Sequence, residues 1–349
     1  MEFDRNLKSM GHGARYMGRY PLPYALCAMR LYCKPAFLLR GPLISGILPP
    51  MTEKERFKSG FISIIGRPNA GKSTLLNALL GEKIAIISSK PQTTRNRILG
   101  IVNQPGVQLV FLDTPGIHKP MHKMNEVMVK TALQTYNEVD VILMLVEAQE
   151  QPGGGDRFIV ETLSEVKTPV FLLINKTDLV KKETLLPLMQ VYSSMYKFAE
   201  IIPVSALKND LGGLVETILK RLPQGPKYFP DDQLTDRPER FIVSELVREK
   251  VFELTKEEIP YSTAVVIEEM KEEPELTRIS AVIYVERDSQ KGILIGKGGS
   301  MLKQIGTLAR LDAEKLLGTK IFLKLLVKVK KGWREDERML KNFGILAEG

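Results

Sequence analysis

Gly66-Arg67-Pro68-Asn69-Ala70-Gly71-Lys72-Ser73 is the stretch whose reading decides the fold. It has the form Gly, four residues, Gly-Lys-Ser, which is the pattern of a phosphate-binding loop. The run before it, Phe61 to Ile65, is short, apolar and β-branched, as a strand buried in a parallel sheet should be. The run after it, Thr74-Leu75-Leu76-Asn77-Ala78-Leu79-Leu80, consists of helix formers and stops at Gly81. Strand, glycine loop and helix in this order form the setting that the pattern requires; a chance match in a glycine-rich turn would lack it. Glycine lets successive backbone N–H groups curl round an anion. The helix N-terminus brings its positive dipole end to the same place. Gly66 to Ser73, with Thr74 behind them, are therefore expected to cradle phosphates, with Lys72 between the β- and γ-phosphates and the Ser73 hydroxyl on Mg²⁺.

Downstream, the pattern alternates between strand and helix. Ile98 to Asn103 and Val107 to Leu112 read as strands joined by a turn at Gln104-Pro105-Gly106. Val141 to Val146, Val170 to Ile174 and Ile201 to Val204 read as buried parallel strands. Helices are expected at about Asn125 to Tyr136, Arg157 to Val166, Leu185 to Phe198 and Leu211 to Arg221. The fold class that follows is α/β, a doubly wound, mostly parallel sheet with one antiparallel hairpin at its edge. Residues 225–238, with Pro226, Pro230 and Pro238, read as a linker. Beyond it the order changes to α+β: a helix from Glu239 to Lys256, strands from Thr263 to Glu269 and Ile279 to Arg287, a glycine turn at Gly296 to Gly299, a helix to Leu317, a strand from Ile321 to Lys328 and a last helix from Glu335 to Phe343. The expected organisation is an extension over 1–50, a first domain over 51–224, the linker, and a second domain over 239–349.

Four more stretches stand where a nucleotide site needs them. Asp113-Thr114-Pro115-Gly116 closes the hairpin strand, so that Asp113 can hold Mg²⁺ and the Gly116 N–H can reach a γ-phosphate. Alone it would read as a common turn; 40 residues after Ser73 and at a strand end, it carries weight. Asn175-Lys176-Thr177-Asp178 closes another strand, and the Asp178 carboxylate can accept both hydrogen bonds of the guanine N1–H and N2–H₂ edge. Adenine lacks those donors and would leave a carboxylate unpaired, a discrimination of several kcal/mol, on the order of the largest known for hydrogen-bonded sites. Asn175, Lys176 and Thr177 would buttress the loop and cover the base, and Ser205-Ala206-Leu207 would turn backbone N–H toward the guanine O6. In the polar stretch Ser88 to Arg97, Thr93 or Thr94 would complete the Mg²⁺ shell; the sequence does not choose between them.

Together these five stretches resemble the GTPase branch of the phosphate-loop NTPases over roughly residues 58–222. The wording Gly-Arg-Pro-Asn-Ala-Gly-Lys-Ser, Gln92-Thr93-Thr94-Arg95, Asp-Thr-Pro-Gly and Asn-Lys-Thr-Asp is similar to the TrmE–Era group. In this chain Ile117 stands where Ras-like enzymes place a water-orienting glutamine, and an aliphatic side chain cannot orient water. Backbone, switch residues, a partner or a cation must then do so. Asn69 resembles the asparagine that binds K⁺ in cation-activated members, and fixing the loop by local hydrogen bonds is the equal alternative. The resemblance implies GTP and GDP with Mg²⁺, and K⁺ as an additional ion; Lys72, Asn69, Thr93, Thr94 and Gly116 are the candidates for acting in hydrolysis.

Gly296-Lys297-Gly298-Gly299 has the Gly-x-x-Gly form of a KH loop, which clamps a single-stranded RNA backbone. The form is weak by itself, but the surrounding order matches a type II KH domain. Gly296, Lys297, Gly298, Gly299 and Lys303 are the candidate RNA contacts, while Ile283, Val285, Ile295 and Ile305 divide between core and base-stacking surface. A GTPase followed by a type II KH domain is the arrangement of the Era family. The resemblance implies binding at the 3′ end of 16S ribosomal RNA in the 30S subunit, a role in assembling that subunit, no DNA partner, a monomer, and a cytoplasmic location with peripheral association at the inner face of the cell membrane as an alternative site. The rivals are a tRNA-modification GTPase of the TrmE kind, which would need a different second domain, and a nucleotide-gated RNA-binding module with little hydrolysis.

Composition is consistent with this. The 349 residues are 44% hydrophobic and 26% charged, with a net charge of +9; a basic balance favours a nucleic-acid partner. The extension carries Arg5, Lys8, Arg15, Arg19, Arg30, Lys34 and Arg40 against Glu2 and Asp4, together with both cysteines, Cys27 and Cys33. It reads as a targeting leader, a weak metal site or an upstream extension of the reading frame, with the working start at Met51 favoured and poor order expected. The cysteine-free remainder suits a reducing compartment.

Overall fold

The computed structural model describes residues 57–87, 98–113, 136 and 138–343. Residues 1–50, Thr93, Thr94, Thr114 to Ile117 and most of the helix expected from Asn125 lie outside the described residues.

The first unit is built on β1 (Lys58–Gly66), α1 (Lys72–Leu80), β2 (Ile98–Gln104), β3 (Val107–Asp113), β4 (Val141–Glu147), α2 (Gly154–Leu163), β5 (Val170–Asn175), α3 (Leu185–Met195), β6 (Glu200–Pro203) and α4 (Leu214–Arg221). The strands form one sheet in the order β2-β3-β1-β4-β5-β6, parallel throughout except for β2, which pairs antiparallel with β3. β1 shows why this sheet is sandwiched. Ile62 and Ile64 point into one core, with Leu75, Leu76 and Leu79 of α1 and Leu214 and Ile218 of α4. Phe61 and Ile65 point into the other, with Ile159 and Leu163 of α2 and Leu188 and Tyr192 of α3. A strand buried on both faces has no polar face to alternate with, hence its near-continuous apolar sequence.

The second unit is formed by α5 (Glu239–Leu254), β7 (Ala264–Glu272), β8 (Thr277–Val285), α6 (Asp288–Ile295), α7 (Ser300–Leu317), β9 (Ile321–Val329) and α8 (Glu337–Asn342). Its sheet order is β7-β8-β9, antiparallel then parallel. Val243, Val247 and Val251 of α5 and Ile305, Ala309 and Ala313 of α7 pack with Ile279, Ala281 and Ile283 of β8 in its core. α6 was not expected from the sequence, which placed no element between the strand ending at Arg287 and the glycine turn at Gly296. Gly292 inside the helix weakened the signal. The buried Gln290 supplies the missing support, its side-chain oxygen accepting from the N–H groups of Glu286 and Arg287 at 3.0 and 3.1 Å. β7 also runs on through Lys271 and Glu272, beyond the expected end at Glu269.

Residues 225–238 are strapped to the first sheet. Gln108, fully buried on β3, accepts from the N–H groups of Tyr228 and Phe229 and donates to the Phe229 carbonyl, at 2.7, 2.9 and 2.8 Å. Asn103 donates to the carbonyls of Asp231, Pro230 and Gln233, and the Ile101 N–H donates to Leu234. Between the units, Lys83 reaches Glu249 of α5 at 2.6 Å and Asp312 of α7 at 2.9 Å, and within the second unit Lys250 reaches the same Asp312 at 3.0 Å. Among the described residues no helix is long and apolar enough to cross a membrane.

Candidate functional site

The Gly66–Ser73 loop, Asp113, the Asn175–Asp178 stretch and the Ser205–Leu207 stretch all lie at the carboxyl ends of parallel strands, where ligands of open α/β sheets bind. The loop leaves β1 at Gly66, passes Asn69 with φ 65°, and enters α1 through Gly71 with φ 97° and ψ 24°. Glycine is required at 71 twice over. The conformation is left-handed, and a Cβ there would stand 2.2 Å from Asn175 Nδ2. Lys72 is buried and donates to the carbonyls of Gly66 at 3.0 Å and Arg67 at 2.8 Å. Burial lowers its pKa from the ordinary lysine value, and the Asp113 carboxylate opposes that shift.

Asp113 is fully buried at the end of β3, and its Oδ2 accepts from the Ser73 hydroxyl at 3.1 Å. Its Oδ1 is buried with no hydrogen-bond partner among the described residues. Burial pushes this carboxyl up to about 6, with Lys72 and the Ser73 hydroxyl pulling it back. A buried carboxylate oxygen without a donor, beside a serine hydroxyl, is a hard-oxygen pair suited to Mg²⁺. A bound dication would keep Asp113 ionised.

Asn175, 2% exposed, joins the loops: its Nδ2 donates to the Ala70 carbonyl at 2.9 Å, and its Oδ1 accepts from the Ala206 N–H at 3.0 Å. Lys176 adopts a left-handed conformation, φ 65°, and pairs with Glu147 at the end of β4. Thr177 donates to the Val204 carbonyl at 3.0 Å. Asp178 is exposed, and its Oδ1 accepts from the Ser205 hydroxyl at 2.6 Å, which aims the carboxylate beside the Ser205–Leu207 turn. The Ser205 N–H is spent on Asp210, and Leu207 is 71% exposed. Sequence reasoning did not find Glu147, Glu150 or Asp156, because they belong to no motif; Glu147 reaches Lys176 through the pairing of β4 with β5, and Glu150 and Asp156 reach Arg67 from the chain that follows β4.

The Gly296–Gly299 turn lies in the second unit between α6 and α7. Gly296 has φ 72°, and a Cβ there would meet Met301 Cβ at 2.8 Å and its backbone nitrogen at 2.9 Å. Lys297, Gly298 and Lys303 are exposed. Ile283, Val285 and Ile305 are wholly buried and so belong to the core; the exposed apolar side chain next to the turn is Ile293 at 52%.

Comparison with known proteins agrees with this layout. Residues 61–176 match the family model described as 50S ribosome-binding GTPase, and residues 258–334 match the KH domain model. The chain is 59% identical over 296 residues to GTPase Era of Geotalea daltonii, covering 84% of this chain and 99% of that protein. It is 56% identical over 292 residues to GTPase Era of Heliobacterium modesticaldum, covering 83% and 98%. A solved structure of Era in complex with MgGDPNP and nucleotides 1506–1542 of 16S ribosomal RNA is 42% identical and superposes with a TM-score of 0.77 over 83% of this chain and all of that one. A variant of Aquifex aeolicus Era bound to GDP and AlF4⁻ gives 0.78 at the same identity and coverage.

Asp178→Asn exchanges an acceptor for a donor at the guanine edge. Affinity for GTP is expected to fall at least tenfold, about 1.4 kcal/mol, and affinity for xanthosine triphosphate to rise. Titration of both nucleotides checks this; unchanged GTP affinity would remove Asp178 from the site.

Proposed function

This chain belongs to the Era family of GTPases, and from that premise we propose that it binds and hydrolyses GTP and holds the 3′ region of 16S ribosomal RNA during assembly of the 30S subunit. The observation that carries the reading is the Asn175 bridge, which sets a phosphate loop and a guanine-type carboxylate at one sheet edge. The Era structures bound to MgGDPNP with RNA, and to GDP with AlF4⁻, support both halves.

Lys72 leaves the Gly66 and Arg67 carbonyls for the β- and γ-phosphates, where its charge opposes the charge building up during transfer. Loop N–H groups and the α1 N-terminus hold the phosphates in line. Ser73 and Asp113 would hold Mg²⁺, with Thr93 or Thr94 completing its shell, and the ion would supply positive charge against the phosphates. Gly116 N–H is assigned to the γ-phosphate. Water is oriented without a side chain from Ile117, and Asn69 is assigned to a K⁺ ion that helps. Asp178 reads the base, held by the Ser205 hydroxyl, and the Ser205–Leu207 turn, whose Ser205 and Ala206 N–H groups are already bonded, flanks it. Lys297 and Lys303 face phosphates of a single strand that passes over Gly296 to Gly299. The protein acts as a monomer in the cytoplasm; association with the inner face of the membrane rests on family resemblance alone. DNA is not a partner in this reading.

Two tests follow. GTP turnover should be faster in K⁺ than in Na⁺ at equal ionic strength, and equal rates would return Asn69 to a structural role. Changing Lys297 and Gly298 together to Asp places two negative charges against RNA phosphate at exposed positions. Affinity for a single strand from the 16S 3′ end should drop at least tenfold, about 1.4 kcal/mol, with GDP affinity unchanged. RNA binding that survives the change would make the glycine turn a mere connector. A chain that holds RNA but turns over no GTP, with or without RNA, would favour the gated binding module.

A further inference from the structure

The chain from β4 into the first turn of α2 lies outside every nucleotide motif, yet it carries a buried charge directed at the phosphate loop. Asp156, in the first turn of α2, is wholly buried. Its Oδ2 accepts from the Gly153 N–H at 2.9 Å. Its Oδ1 lies 3.1 Å from Nε of Arg67, the second residue of the phosphate loop. The far end of the same guanidinium pairs with Glu150. The Arg67 stem lies against Gly155, where a Cβ would stand 2.9 Å from Arg67 Cδ, and its guanidinium lies beside Gly153. The glycine run therefore opens the room in which the arginine is held.

A cation at a helix N-terminus has the wrong sign for the helix dipole. A carboxylate buried without a cation is costlier still. Each charge is tolerable here because of the other. The Tyr192 hydroxyl, which burial and then Asp156 hold above its ordinary value while Arg67 pulls it down, stays protonated and adds no charge to the cluster. The main chain of Arg67 is meanwhile part of the site, since its carbonyl accepts from Lys72 at 2.8 Å. Side chain and carbonyl belong to one residue, so anchoring the guanidinium limits where the carbonyl, and the ammonium that must leave it for phosphate, can stand.

We infer that Asp156 is a positioning residue for the phosphate loop, acting through Arg67 to hold the loop in the conformation that binds the nucleotide diphosphate. This rests on the GTPase reading. It adds to it a residue of the first turn of α2 whose effect falls on the phosphate end of the ligand and not on the base.

The test measures GDP and IDP affinity for the full chain and for Arg67→Met, Arg67→Lys, Asp156→Asn and the double Arg67→Met/Asp156→Asn. Methionine keeps a stem over the glycines, and the double variant, which removes both charges together and leaves neither buried alone, keeps the fold if a single variant does not. Arg67→Met and Asp156→Asn should each weaken GDP at least tenfold. The double variant should be no weaker than the worse single one, because the two act as a unit. Arg67→Lys should recover part of the loss, and the ratio of GDP to IDP affinity should stay constant, since IDP differs only at the base edge. Wild-type affinity in Arg67→Met, or losses that multiply in the double variant, would overturn the inference. A changed GDP-to-IDP ratio would also overturn it. Failure of the unaltered chain to bind GDP would overturn the GTPase reading instead.

Discussion

One side-chain amide holds the nucleotide site together. Asn175 stands at the end of β5 and spans from the phosphate loop to the turn after β6, giving one hydrogen bond and taking one, both out of contact with solvent. A buried amide that loses a partner costs roughly 1–3 kcal/mol, so neither loop can drift from the other without penalty. The same amide excludes any side chain at position 71, which forces glycine there and so the left-handed entry into α1. That entry points the first N–H groups of α1 at the loop's interior. The two loops proposed for base recognition and phosphate binding are thus two ends of a single bonded frame, although Ala70 and Asn175 are far apart in sequence.

The sheet was legible because its central strands are buried on both faces and so read as nearly unbroken apolar runs, and β1, β3 and β5 each end in a motif. The α6 helix was not, because what stabilises it is the tertiary placement of Gln290, and local propensity around Gly292 argues against it. The site divides in the same way. Gly66 to Ser73, Asp113 and Asn175 to Asp178 are recognisable by residue type and spacing, and the structure brings them to one sheet edge. Asp156 and Glu147 carry no such mark: Asp156 meets Arg67 through the path of the chain between β4 and α2, and Glu147 meets Lys176 through the pairing of β4 with β5, and no residue pattern encodes either. The apolar residues of the second unit show the limit of periodicity: Ile283, Val285 and Ile305 are core, whereas Ile293, one position from a buried leucine, faces solvent.

The two units meet through charges that burial makes selective. Glu249 is 1% exposed and faces both Lys83 of the first unit and Lys250 of its own helix. It also accepts the Ile87 N–H at 2.9 Å. Removing one partner from such a group is more damaging than the pair is stabilising, so the contact specifies the fit of the units more than it strengthens it. Residue 87 leads directly into the stretch that carries Thr93 and Thr94. The Gln108 strap fixes the other route between the units, from β3 to residues 228 and 229.

The account stands on the frame built by Asn175, and replacing that residue tests it most directly. Asn175→Ala removes both bonds and leaves the Ala70 carbonyl and the Ala206 N–H without their partner. GDP affinity, measured by calorimetry beside affinity for a 16S 3′-end strand, is expected to fall at least thirtyfold, about 2 kcal/mol, with RNA affinity unchanged. GDP binding equal to that of the unaltered chain would contradict the account, because the loops would then hold the nucleotide without the bridge that is taken to join them.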